Sequence, residues 1–79
     1  MKQQIIDYIS KELLDGQITV TESEDLYTSG IVDSIGLMRI VSFLEQNFEV
    51  KVEPQDLTIE NFQSVDSMVN YLIRERNEE

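Results

Sequence analysis

From Val65 to Ile73 the apolar residues fall at i, i+3, i+4, i+7 and i+8: Val65, Met68, Val69, Leu72 and Ile73. That spacing draws one stripe down an α-helix and does not fit the two-residue alternation of a half-buried strand. It predicts a helix from about 65 to 76, starting after Ser64. Asp66 in its first turn and Arg74 and Arg76 in its last suit the helix dipole. The same period runs through residues 2–15, where Ile5, Ile6, Ile9 and Leu13 share a stripe and Gly16 stands where a helix C-cap is expected. A further helix is predicted from about 34 to 48, with Asp33 as a good N-cap residue. Val50, Lys51 and Val52 read as extended. Pro54 suits a first helical turn, so residues 54–62 read as one or two short turns with Thr58 as a cap candidate. The chain is thus all-α: three main helices and a short one.

Residues 17–33 have no helical period. Ile18 and Val20 alternate with polar neighbours, but so short a run cannot make a sheet. Leu26, Tyr27, Ile31 and Val32 are positioned to pin this segment onto a core. A structureless stretch of this length in a compact domain is uncommon and is usually functional. No repeat, linker or low-complexity segment divides the chain, so residues 1–79 are expected to form one stand-alone domain.

Composition narrows what such a bundle can do. Cysteine and histidine are both absent, which excludes disulfides, thiolate metal sites and any Ser-His-Asp or Cys-His catalytic centre built from this chain alone. Sixteen acidic residues against six basic give a net charge of −10. Nucleic acid is an improbable partner, because binding it rests on cations that neutralise phosphates. Basic protein surfaces are better matched, although an acidic surface also serves solubility alone. Two acidic groups, Glu22, Glu24 and Asp25 in the long loop and Glu49, Glu53, Asp56 and Glu60 around the short helix, lack the spacing of a calcium loop, and no metal site is expected. No segment approaches the roughly 20 apolar residues of a membrane span, and the N-terminus lacks the apolar run of a signal peptide. A cytoplasmic monomer is expected.

The helix over 34–48 carries the most information. Advancing about 100° per residue places Leu37, Ile40, Val41, Leu44 and Phe48 in one sector, the core face. Ile35, Met38 and Ser42 fall outside it, so two apolar side chains are left on the surface within a turn of Ser34. Scattered surface apolars are normal; beside a serine at a helix start, they read as a docking patch. Phe43 lies off the core sector and is expected to pack under the long loop. A phosphate on Ser34 would meet unsatisfied N–H groups and the positive end of the dipole. By position alone, however, Ser34 reads as part of an ordinary helix entrance, since Ser is a common N-cap.

The run Asp25-Leu26-Tyr27-Thr28-Ser29-Gly30-Ile31-Val32-Asp33-Ser34-Ile35 resembles the acyl and peptidyl carrier proteins. Their pattern is Asp-Leu-aromatic, two variable residues, Gly, an apolar residue, one variable residue, then Asp-Ser-Leu or Asp-Ser-Ile. The resemblance implies a four-helix bundle with a long first loop and a short third helix. It implies that the serine matching Ser34 receives 4′-phosphopantetheine from coenzyme A, through a separate phosphopantetheinyl transferase that usually uses magnesium. The arm's thiol would carry acyl or aminoacyl groups as thioesters, so a chain without cysteine still presents a reactive thiol, and the cofactor rather than the protein does the chemistry. No catalytic residue is then expected. Asp33 would stand beside the attachment point, and Ile35, Met38 and Arg39 would contact the transferase and client enzymes.

The sequence departs from fatty-acid carriers at two positions. Those usually follow the serine-leucine pair with an acid and place another three positions later; here the residues are Gly36 and Arg39. The segment LTIENFQSVDSMVNYL is similar to carriers dedicated to one pathway, often loaded by adenylate-forming ligases. D-alanyl carrier proteins share the glycine. A dedicated carrier is therefore favoured, with a fatty-acid carrier or an unmodified acidic interaction module as the alternatives.

Overall fold

A computed structural model describes residues 1–16 and 19–77, with the backbone alone for Arg76 and Asn77. Helix α1 spans Lys2–Tyr8 and continues into a π-helical turn over Ile9–Leu13. Helix α2 spans Ser34–Phe48, a 3₁₀ turn spans Pro54–Asp56, α3 spans Ile59–Phe62 and α4 spans Val65–Asn77. There is no strand among the described residues. The fold is an all-α four-helix bundle.

Each boundary has a local cause. In the π-helical turn the N–H of Leu14 reaches the carbonyl of Ile9, one residue further back than in an α-helix. Gly16 then adopts φ +75°, and its N–H closes the end on the Ser10 carbonyl at 2.8 Å. The Thr58 hydroxyl accepts the Asn61 N–H at 3.3 Å and begins α3. Ser64 begins α4 by accepting the Ser67 N–H at 3.1 Å. Asp66, in the first turn of α4, pairs with Lys2 at 3.1 Å, and Lys2 also reaches Glu22 at 3.3 Å. The predictions that involve Ile18 and the Arg76 side chain lie outside the described residues.

Ile5, Ile9, Leu26, Ile40, Leu44, Phe62, Val65, Met68, Tyr71 and Leu72 form the fully buried centre. Each such aliphatic or aromatic side chain contributes about 1.5–3 kcal/mol by leaving water. The long loop is pinned by Leu26 and Val32, both buried, while Tyr27 and Ile31 are half-buried. Val20 is buried as well. Backbone bonds tie the loop to the α3–α4 junction: Leu26 N–H to Gln63 O at 2.8 Å and Asp66 N–H to Glu22 O at 2.9 Å.

Three expectations are corrected. Ile73 is 44% exposed, and its place in the core is taken by Tyr71. The Tyr71 ring packs at 5.4 Å from Phe62 and its hydroxyl donates to Asp56 Oδ2 at 2.9 Å, which lets a polar-tipped side chain enter the core. Burial, reinforced by the Asp56 carboxylate, pushes the Tyr71 phenol pKa well up. Phe43 stacks on Tyr8 of α1 at 4.2 Å and meets Phe48 edge-on, so its partners are helical side chains rather than the long loop. On α2, Ile40, Val41 and Leu44 are buried, whereas Leu37 and Phe48 at the sector's edges are only half-buried.

Candidate functional site

The stretch from Asp25 to Ser34 is built residue by residue to deliver the start of α2 to the surface. Asp25 Oδ1 accepts the N–H groups of Tyr27 and Thr28, both at 3.0 Å, and these bonds hold its carboxyl below the usual range. Leu26 anchors the turn in the core. Gly30 takes φ +80°, a conformation that favours glycine, and its N–H bonds to the Tyr27 carbonyl at 3.0 Å. The Val32 N–H then returns to the Leu26 carbonyl at 2.9 Å, and the Val32 side chain is buried. The chain therefore leaves the core at residue 33 with little freedom of direction.

Asp33 is extended at φ −106° and caps α2: its Oδ1 accepts the Gly36 N–H at 2.8 Å, and its carbonyl accepts the Leu37 N–H at 2.8 Å. Ser34 is the first residue inside the helix and is exposed. Its hydroxyl is not the cap and has no hydrogen-bond partner among the described residues; nor do the N–H groups of Ser34 and Ile35. Two unspent amides and a free hydroxyl thus stand together at the positive end of a four-turn helix.

Gly36 is buried, and the reason is steric. A Cβ there would lie 3.3 Å from Asp33 Oδ1, 3.3 Å from Val32 Cγ1 and 3.8 Å from Leu13 Cδ1. A larger residue would press on the cap itself.

Ile35 is 72% exposed and Met38 53%, so both stand off the core beside Ser34. Arg39 is exposed and has no carboxylate within ion-pair distance among the described residues. Its backbone carbonyl accepts the Tyr8 hydroxyl at 3.3 Å. Two depressions meet at Ile35 and Arg39. One, of about 290 Å³, runs from Asp33 and Gly36 toward Gly30 and Leu13. The other, of about 440 Å³, runs along α2 between Met38, Ser42 and Gln46 on one side and Tyr8 and Phe43 on the other. Asp33, Ser34, Ile35, Met38 and Arg39, picked out from sequence, therefore share one end of the bundle. Tyr8 and the stacked Phe43 belong to the same face, and no helical period within a single segment could have joined them to it.

Several acids of the two groups are engaged within the fold, some locally and some across the chain. Glu24 accepts the Thr21 N–H, Asp25 holds the turn and Asp56 takes the Tyr71 hydroxyl. Among the described residues no three acids are grouped so as to hold a metal ion, and no helix is long and apolar enough to cross a membrane.

Comparison with known proteins covers nearly the whole chain. Residues 3–72 match the family described as phosphopantetheine attachment site. The probable acyl carrier protein PigG of a Serratia strain is 33% identical over 70 residues, covering 87% of this chain and 80% of that protein. The D-alanyl carrier protein of Streptococcus uberis is 28% identical over 69 residues, covering 87% of this chain and 86% of the relative. That of Streptococcus sanguinis is 25% identical over 77 residues, 98% of this chain and 96% of the relative. A solved chain described under "Crystal structure of FAD-dependent dehydrogenase" superposes with a TM-score of 0.81 at 23% identity, over 87% of this chain and 99% of that one. At that identity the likeness shows the fold alone.

Proposed function

This chain belongs to the phosphopantetheine-binding carrier proteins, and from that premise we propose that Ser34 is the attachment point and that the chain serves one dedicated biosynthetic pathway in the cytoplasm. As a member of this family it is a carrier rather than an enzyme: it is the substrate of a phosphopantetheinyl transferase and of acyl-loading enzymes. When bound, 4′-phosphopantetheine supplies a terminal thiol that holds an acyl or aminoacyl group as a thioester.

The residues present fit the group. The observation that carries the assignment is the division of labour between Asp33 and Ser34: Asp33 caps the helix and leaves the Ser34 hydroxyl exposed and unengaged. The unspent N–H groups of Ser34 and Ile35 suit a phosphodiester at this end of the helix. Asp33 also keeps a negative charge beside the site for a transferase that brings coenzyme A with a metal ion. Ile35 and Met38 form the exposed apolar rim that the transferase and client enzymes would grip, and Arg39 supplies a cation where fatty-acid carriers present an acid.

Two features support a dedicated pathway over primary fatty-acid synthesis. Gly36 occupies a packed position, and Arg39 is exposed with no carboxylate partner among the described residues. Both stand where fatty-acid carriers usually present an acid. The relatives' names, an acyl carrier and D-alanyl carriers, support an acyl or aminoacyl cargo, and loading by an adenylate-forming ligase is the route proposed for it.

Incubation with transferase, magnesium and coenzyme A, followed by intact-mass measurement, tests the attachment. Wild type is expected to gain one phosphopantetheine and Ser34→Ala none. An adduct on Ser34→Ala would refute the assignment. The choice of pathway is read from Met38→Ala and Arg39→Glu, both pre-loaded with the arm. Slower loading by the cognate ligase for both, and better use of Arg39→Glu by a fatty-acid malonyl transferase, are expected. Wild-type rates with every partner would move recognition to the long loop or α3.

A further inference from the structure

The π-helical turn at Ile9–Leu13 lies far in sequence from Ser34 but ends against its platform. Such turns are rare, and many of them mark functional sites. This one closes through the Leu14 N–H on the Ile9 carbonyl at 3.2 Å. Its last residue, Leu13, is half-buried and lines the smaller depression with Asp33 and Gly36, which bracket Ser34 in sequence. Leu13 Cδ1 stands 3.8 Å from the place a Gly36 Cβ would take, and the Asp33 Oδ1 that caps α2 stands 3.3 Å from that same place. The leucine thus packs beside the cap that leaves the Ser34 hydroxyl unengaged.

Winding explains how Leu13 comes to be there. Tyr8 marks the side of α1 that meets α2: its ring stacks on Phe43 and its hydroxyl donates to the Arg39 carbonyl. In an uninterrupted α-helix Glu12, four residues on, would lie about 40° from Tyr8, and Leu13 about 140°. An acid would then face the start of α2. Closing at i→i+5 takes up about one residue more than an α-helical turn. Leu13 therefore moves into the angular place that Glu12 would have held. Either way it stays on the Ile9 side; the turn decides that it takes the edge toward α2. Burial agrees, since Glu12 is exposed and Leu13 is half-buried. The far end is fixed as well: Asp15 and Gly16 take φ 56° and 75°, and the Gly16 N–H bonds back to the Ser10 carbonyl.

We infer that Leu13 is a positioning residue for phosphopantetheine transfer: the π-helical turn aims it at Gly36, where it steadies the Asp33 cap and with it the Ser34 hydroxyl. The inference rests on Ser34 as the attachment point. In the transfer the Ser34 oxygen bonds to the phosphorus that bears the pantetheine. The pyrophosphate bond of coenzyme A breaks, adenosine bisphosphate leaves and the serine proton is released. Leu13 takes no part in these bonds and acts through the cap. Placement matters because a misplacement of about 1 Å at a reacting atom can cost roughly 100-fold in rate.

Initial rates of transfer from coenzyme A, read by intact mass at increasing carrier concentration, separate this role from a purely structural one. A carrier that is only partly folded presents less substrate and raises KM, whereas a misplaced hydroxyl lowers kcat. Leu13→Ala is expected to lower kcat severalfold with KM little changed, and Leu13→Met to recover most of it. Should Leu13→Ala fail to fold, Leu13→Val, which shortens the same side chain, takes its place. Leu14→Ala, at the neighbouring half-buried position, is expected to keep kcat. Deleting Lys11 takes the extra residue out of the turn, so an ordinary α-helix brings Leu13 to the same place. A nuclear Overhauser contact between a Leu13 δ-methyl and the Gly36 α-protons reads that place directly. It is expected in wild type and in the deletion variant, with kcat unchanged. A deletion variant that keeps the contact and loses kcat, or the reverse, would overturn the inference. So would Leu13→Ala and Leu14→Ala proteins that behave alike. Absence of any adduct on wild type, or an adduct on Ser34→Ala, would instead fault the attachment assignment.

Discussion

Ser34 and Ser64 stand at the starts of α2 and α4 and use their hydroxyls in opposite ways. Ser64 is buried, accepts the Ser67 N–H and lies 3.1 Å from the Ser67 hydroxyl, so its oxygen is committed to the fold. Ser34 lies one position further into its helix, behind a capping Asp33, and its oxygen has no partner among the described residues. A serine at a helix start is thus not one thing. Whether the residue before it can cap decides whether its hydroxyl is structural or available.

The exchange of roles can be broken most directly by truncating each serine. Ser34→Ala is expected to lose all phosphopantetheine by intact mass while its stability stays within about 0.5 kcal/mol of wild type. Ser64→Ala should keep full modification and lose about 1–2 kcal/mol, a melting temperature several degrees lower. A Ser34→Ala protein as destabilised as Ser64→Ala would mean that Ser34 shares the cap. Asp33→Ala sharpens the same point from the other side. Removing its carboxylate frees the Gly36 N–H and should cost about 1 kcal/mol in denaturant melts, with Asp33→Asn recovering most of it.

Tyr27 tests the loop that presents Ser34. Its hydroxyl is buried without a partner among the described residues, and burial, with Asp25 nearby, pushes its pKa up to about 12. Tyr27→Phe removes an unsatisfied polar atom and should raise stability by about 1 kcal/mol. Because the folded pKa lies above the unfolded value near 10, this tyrosine's contribution is complete below pH 10 and is lost as pH rises toward 12. The variant should therefore fall less steeply over that interval in melts recorded against pH. The smallest effect is expected at Gly36→Ala. Alanine gains up to about 1 kcal/mol of helix propensity, but its Cβ sits 3.3 Å from the capping oxygen. The two should nearly cancel in a melt, and a clear gain in stability would show that the cap yields without strain.

Periodicity and capping chemistry made much of this legible in advance. The span of α2, the Asp33 and Thr58 caps and the exposure of Ile35 and Met38 all follow from local rules. What escaped depended on partners distant in the chain. Tyr71 enters the core only because Asp56, fifteen residues earlier, meets its hydroxyl, and a stripe read along one helix chose Ile73 instead. Phe43 found Tyr8 across the bundle. Gly36 read as a missing acid, whereas the structure shows a position with little room for a side chain. The π-helical turn at Ile9–Leu13 left no mark in the apolar pattern, because Ile9 and Leu13 keep the same face whichever way the turn closes.

The backbone bonds that pin the long loop have a consequence for how the molecule opens. Leu26 donates to Gln63, Val32 donates to Leu26, and Asp66 donates to Glu22. The loop and the start of α4 are thus laced together by backbone amides on either side of the buried Leu26. In hydrogen exchange the Leu26, Val32 and Asp66 amides should behave as one cooperative unit with a shared opening free energy. Fraying α4 at its start would then slacken the platform beneath Ser34, more than thirty residues away in sequence.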